Sequence, residues 1–124
     1  MIDINLDNKR KKNLVLLFNV LNHFNISDLT ANHASVMSSD KKSFYINQHK
    51  FLFSEISSKN LIKIETIKYD NNKLIKINRA GYYIHKYLHL SKAKPDYILH
   101  THSENAVAIS CLKNGFNTKL NQSS

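Results

Sequence analysis

The sequence predicts an α/β layered fold. Three observations carry this: apolar residues at helical spacing between residues 14 and 24, short β-branched and aromatic runs set between polar turns, and a return to helical spacing after Gly81. At 124 residues the chain is expected to form one domain over residues 1–124. A chain of this size buries only about two-thirds of its unfolded surface and supports one core.

Taken in order, Leu14, Leu17, Phe18, Leu21 and Phe24 place one apolar stripe on a helix predicted from about residue 7 to 23. The cluster Lys9-Arg10-Lys11-Lys12 lies on the first turns of that helix and reads as its solvated face. Residues 25–40 are small and polar, and Asp28 to Val36 suits a loop entering a short strand. Residues 43–47 and 60–67 alternate as strands do, and Asn71-Asn72 marks a turn with residues 74–77 as the returning strand. Beyond Gly81, a helix is expected to bury Ile84, Tyr87 and Leu88. Pro95 interrupts it, and residues 97–100 read as a short buried strand. Ser103 is an N-cap for a last helix with Ala106, Val107, Ser110 and Cys111 on its core side, ended by Gly115 in a left-handed conformation.

The charge narrows the function classes. Lys and Arg total 18 against 9 Asp and Glu, a net charge of +9, which invites a phosphate-bearing partner. Arg10 and Arg79 are the only arginines, however, and the lysines are spread along the chain, so a nucleic-acid interface is disfavoured. The single cysteine, Cys111, excludes an internal disulfide and a cysteine-based zinc site, and a reducing compartment is expected. No apolar run approaches the roughly 18 residues of a membrane span. The opening Met1-Ile2-Asp3-Ile4-Asn5 lacks the basic start of a signal peptide, so a cytoplasmic protein is expected.

The sharpest chemical feature is His100-Thr101-His102. Strand side chains alternate, so residues two apart share a face and both imidazoles can reach one ion. His85 and His89 lie four apart on the predicted helix, where they could share a metal but read better as partly buried fillers. His33 and His49 are placed in loops, within reach of an anionic substrate. With Gly81 and Gly115 the only glycines, no P-loop, dinucleotide-binding glycine pattern or nucleophile elbow is present.

Several segments occur together in a known order. They are Asp28-Leu29-Thr30-Ala31-Asn32-His33-Ala34-Ser35-Val36, Ser43-Phe44-Tyr45-Ile46-Asn47, residues 52–64, Asn78-Arg79-Ala80-Gly81-Tyr82-Tyr83-Ile84-His85, and Lys94-Pro95-Asp96-Tyr97-Ile98-Leu99-His100-Thr101-His102-Ser103. In order and spacing they resemble the class II aldolase/adducin family, from the first helix to Gln122. The resemblance implies a three-layer α/β/α fold around a largely antiparallel central sheet, here incomplete, and assembly as a homo-oligomer.

For chemistry, the resemblance implies a zinc-dependent aldehyde-lyase that cleaves a carbon–carbon bond in a small hydroxy-carbonyl substrate, the metal offsetting charge on a carbonyl oxygen. His100 and His102 match the first two zinc ligands; the third lies downstream of Ser124 in the family, so a C-terminally shortened member with half a zinc site is expected. The acid/base glutamate of the sugar-phosphate aldolases falls at Gly81. Their phosphate loop matches Asn47-Gln48-His49-Lys50, with Lys50 at a glycine position, and their phosphate-site asparagine aligns with His33. Asn47, Lys50 and His33 are therefore the candidate substrate-binding residues. These departures resemble the adducin-like branch, which makes a non-catalytic, oligomerising interaction module the alternative; a basic nucleic-acid-binding protein stands third.

Overall fold

The computed structural model describes residues 2–28, 31–68 and 71–115. Leu29 and Thr30, which form part of the resemblance, and its last stretch, residues 116–124, lie outside the described residues.

Helix α1 (Ile4–His23) begins earlier than its apolar stripe, because the Asp3 carboxylate accepts the Leu6 N–H at 3.0 Å and caps the first turn. Strands β1 (His33–Met37) and β2 (Ser43–Ile46) follow, then a 3-10 turn (Phe53–Glu55) and β3 (Ile62–Glu65). A short helix α2 (Asn71–Leu74) precedes α3 (Arg79–Leu90), β4 (Tyr97–His100) and α4 (Glu104–Ser110). The strands form one sheet in the order β3-β2-β1-β4, and every neighbouring pair is antiparallel. Among the described residues, no helix is long and apolar enough to cross a membrane.

All five residues of β1 are buried, because helices cover both faces of the sheet. On one face Ala34, Val36 and Tyr45 pack with Leu14, Phe18 and Leu21 of α1 and with Phe53. On the other, Met37, Phe44, Ile46 and Ile64 pack with Ile77 and Tyr82. The two clusters and the sheet between them make three layers. Phe18 and Phe53 meet edge to face at 4.8 Å between ring centroids, locking α1 to the 3-10 turn.

Asp7 ties α1 to the sheet by a second route. Its carboxylate accepts the Ser39 N–H at 2.7 Å and the Tyr45 hydroxyl at 2.7 Å, although Asp7 and Tyr45 are both buried. Burial alone raises the Asp7 pKa, but these hydrogen bonds outweigh it and hold the carboxyl below its ordinary value. Arg10, read as part of a solvated face, instead donates to the Met37 carbonyl at 2.7 Å and to Asp96 at 3.3 Å.

Four expectations are corrected. Residues 97–100 do form a strand, but it lies at the edge of the sheet and only Ile98 in it is buried, with Tyr97 and Leu99 exposed. Residues 74–77 are not a strand: Ile75, Lys76 and Ile77 N–H groups donate to the carbonyls of Asn71, Lys73 and Leu74, so local helical bonds satisfy this backbone and only Ile77 is buried. On α3 the buried residues are Gly81, Tyr82, His85 and His89, whereas Ile84, Tyr87 and Leu88 are exposed. The helix is turned to meet polar groups on the sheet. Helix α4 has no buried residue, so Cys111 is exposed instead of lying in a core. Gly115 does take the left-handed conformation, with φ 61°.

Asp7→Ala strands a buried hydroxyl and an amide, and is expected to destabilise the fold by about 1–3 kcal/mol in chemical denaturation. Because the folded-state pKa of Asp7 is depressed, the stability it adds is full above its ordinary pKa of 3.8 and fades as pH falls below it. The acid limb of the stability curve should therefore flatten in Asp7→Ala.

Candidate functional site

The register of the sheet assembles the site. His33 at the start of β1 lies opposite His100 at the end of β4, and their rings stack with centroids 4.5 Å apart and planes 10° apart. His33 is thus a buried strand residue, not a loop residue as expected from the sequence. His102 follows two positions beyond His100, and the two Nε2 atoms stand 3.0 Å apart.

His102 is held at both ends. Its backbone N–H donates to Asn32 Oδ1 at 2.9 Å, and its Nδ1 lies 2.8 Å from Asp28 Oδ2. A carboxylate only accepts, so Nδ1 carries a proton and donates to Asp28, while Nε2 is the atom turned towards His100. A carboxylate that holds the far ring nitrogen in this way orients an imidazole and raises its basicity as a metal ligand. Two nitrogens on one tetrahedral zinc at about 2.0–2.1 Å stand about 3.3 Å apart, so the 3.0 Å pair suits two corners of such an ion. Among the described residues, no group of three or more His, Cys, Asp or Glu is arranged to hold a metal. His33 does not complete the set, because its ring plane runs parallel to that of His100. Beside His102, the Asn32 side-chain Nδ2 is buried without a hydrogen-bond partner, a donor suited to a ligand oxygen.

Behind this pair runs a buried polar chain. His33 Nδ1 lies 2.7 Å from His85 Nε2; His85 Nδ1 and His89 Nε2 both reach Ser35 Oγ, at 2.5 and 2.8 Å; and His89 Nδ1 lies 2.9 Å from the Pro95 carbonyl. Helical spacing puts His85 and His89 on one face of α3, and strand spacing puts His33 and Ser35 on one face of β1. The histidines of α3 are buried, as the filler reading expected, but as members of a hydrogen-bonded network. Burial pushes His85 down to about 3, aided by the neighbouring His33 and His89. Burial, with His100 and His102 nearby, pushes His33 down to about 4. Burial also lowers His89 and His100. All are neutral near pH 7.

Gly81 lies against this network. A Cβ there would come within 2.8 Å of His33 Cδ2 and 3.0 Å of its Nε2. The space over the position where resemblance puts an acid/base glutamate is filled by the imidazole of His33. Asn47 is buried, with Oδ1 accepting the Ala34 N–H at 3.1 Å and Nδ2 directed to the Asn32 carbonyl at 3.5 Å, so its amide braces β1. Lys50 is exposed, its Nζ 4.9 Å from the Phe51 ring centroid. Next to it, His49 and Arg79 line a shallow cleft of about 450 Å³ with Ala31, Asn78 and Ala80. Asp28, Asn32, Ser35 and Arg79 were not singled out from the sequence as site residues, because single polar residues carry no periodic signal.

Comparisons with known proteins converge. The family profile described as Class II Aldolase and Adducin N-terminal domain matches residues 12–123. An adducin-related protein of Schizosaccharomyces pombe is 38% identical over 104 residues, 77% of this chain and 32% of that protein. The crystal structure of an aldolase II superfamily protein from Pseudomonas syringae superposes with TM-score 0.76 at 28% identity, over 88% of this chain and 45% of that one. The L-fuculose 1-phosphate aldolase from Glaciozyma antarctica PI12 gives TM-score 0.72 over 84% of this chain and 44% of that one; at 23% identity it speaks to the fold alone. The chain spans about a third of the curated relative and under half of each solved chain.

Gly81→Ala is expected to lower the melting temperature and displace the His33 ring, since the ring can make room for the added Cβ only by giving up its contacts with His85 and His100; the His33 NMR resonances report it. The buried histidines also set a pH dependence. Their folded-state pKa values lie below the ordinary 6.5, so unfolding takes up protons there. Stability is expected to be full above about pH 6.5 and to fall steadily towards pH 4 in denaturant titrations. His85→Phe should blunt that slope.

Proposed function

The chain belongs to the class II aldolase and adducin family, and from that premise we propose that His100 and His102 hold a divalent metal, zinc being one of the transition ions that imidazole suits. The 3.0 Å approach of their Nε2 atoms carries this reading. When bound, the ion supplies a Lewis acid for charge developing on a carbonyl oxygen. Among the described residues the pair is not joined by a third His, Cys, Asp or Glu ligand.

The chain's own residues then have distinct tasks. Asp28 holds the His102 tautomer, Asn32 fixes the His102 backbone and offers Nδ2 to a ligand oxygen, and His33 supports the His100 ring by stacking. His33, Asn47 and Lys50 form the side on which substrate binds, Asn47 acting through the backbone it braces and Lys50 through its charge. His49 and Arg79 add positive or hydrogen-bonding groups in the adjoining cleft. The compound this suits is a small hydroxy-carbonyl molecule, and the reaction type is cleavage of the carbon–carbon bond next to its hydroxyl, as in an aldehyde-lyase.

A second reading rests on a different observation. Ile84, Tyr87, Leu88 and Leu90 are exposed along α3, and the S. pombe relative is named adducin-related. On that reading the domain serves in homo-oligomeric assembly, with the histidine pair as a structural remnant.

Zinc titration of the purified, metal-stripped chain separates the two. One zinc per chain is expected, lost when His100→Ala and His102→Ala are combined. Asp28→Asn is expected to weaken affinity about 10–100-fold without changing stoichiometry. Equal zinc uptake by the wild-type chain and the double variant overturns the metal site.

A further inference from the structure

The hydrogen-bond chain behind His33 has a direction, and one group sets it. The Pro95 carbonyl has lone pairs and no proton, so His89 must donate from Nδ1. The neutral His89 ring then accepts at Nε2, and the Ser35 hydroxyl donates to it. With its one proton spent, Ser35 Oγ accepts from His85 Nδ1–H. His85 Nε2 is left as an acceptor and takes the proton of His33 Nδ1. Each link forces the next, and the last leaves His33 with a bare lone pair on Nε2.

We propose that this buried chain, from the Pro95 carbonyl through His89, Ser35 and His85, is a positioning relay that holds His33 in the Nδ1–H tautomer and presents its Nε2 as acceptor for a hydroxyl group of a ligand beside His100. Imidazole in water prefers its proton on Nε2, so consecutive Nδ1–H rings do not arise from intrinsic preference. Packing alone does not call for them either. His33, Ser35, His85 and His89 are each at most 3% exposed, and a fully satisfied polar network costs more desolvation than apolar side chains of the same shape.

The chain ends where it is useful. His33 lies face to face with His100, and Gly81 packs so closely against its Cδ2, Cγ and Nε2 atoms that a side chain there would not fit. The relay stands on the hydrogen-bond geometry by itself; the hydroxyl contact also rests on the reading of His100 and His102 as a ligand-holding pair. Ser35, His85 and His89 are positioning residues on this account, and His33 is the group that meets the ligand.

Long-range proton–nitrogen NMR on the uniformly ¹⁵N-labelled, metal-free full chain at pH 7 reads each ring's tautomer directly. His33, His85 and His89 are expected to carry their protons on Nδ1. Ser35→Ala should return His33 and His85 to mainly Nε2–H forms, and Ser35→Thr, which keeps the hydroxyl, should restore the Nδ1–H pattern. A wild-type His33 protonated on Nε2 overturns the relay, and that spectrum decides even if Ser35→Ala does not fold. An unchanged His33 tautomer in folded Ser35→Ala overturns it as well.

Saturating hydroxyacetone on the zinc-loaded chain should move the His33 Nε2 resonance by several parts per million. No movement there overturns the hydroxyl contact. If the His100 resonances also stand still, the failure lies with the ligand site at His100 and His102.

Discussion

Strand β1 has no solvent face, and much of the molecule follows from that. Its inward residues alternate between Ala34 and Val36, which meet the apolar side of α1, and His33 and Ser35, which meet α3. The apolar side needs only volume. The polar side needs partners, because a hydroxyl or imidazole sealed from water without them costs on the order of 1–3 kcal/mol each. Helix α3 supplies those partners from His85 and His89, which is why it turns a histidine stripe inward and leaves aliphatic groups outside.

That requirement also explains what could be read from the sequence. The order of helices and strands was legible because α1, β2 and β3 follow plain apolar periodicity. The approach of His100 and His102 was legible too, since two residues on a strand share a face whatever surrounds them. The buried face of α3 was not: a hydropathy pattern ranks Ile84, Tyr87 and Leu88 as core, and only the identity of the opposing strand face reverses the choice. For β1 the difficulty was the same, since Asn32, His33 and Ser35 look like loop residues until both faces of the strand are known to be covered. Residues 74–77 were misread because β-branched content says nothing about whether a strand edge is free to pair.

The positive charge of the chain is put to local uses in the structure. Arg10 bridges α1 to the Met37 carbonyl and to Asp96, which also pairs with Lys41. Lys11 and Lys63 stand 5.3 and 5.6 Å from the Tyr45 ring centroid. These cations lie on the α1 side and around the β1–β2 turn, whereas the histidine pair and its Asp28 brace sit at the other end of β1. That end gathers imidazoles and one carboxylate, a donor set that suits a bound cation.

Gly81 and His33 occupy one volume between them. A side chain at position 81 and an imidazole at position 33 exclude each other, since an added Cβ would stand 2.8 Å from the ring, well inside ordinary van der Waals contact. The two positions are thus a single structural character with two alternative states, one filled from the helix and one filled from the strand. Across relatives they should change together, so an alignment sorted by residue 81 would divide the lineage according to which element supplies the group over the site.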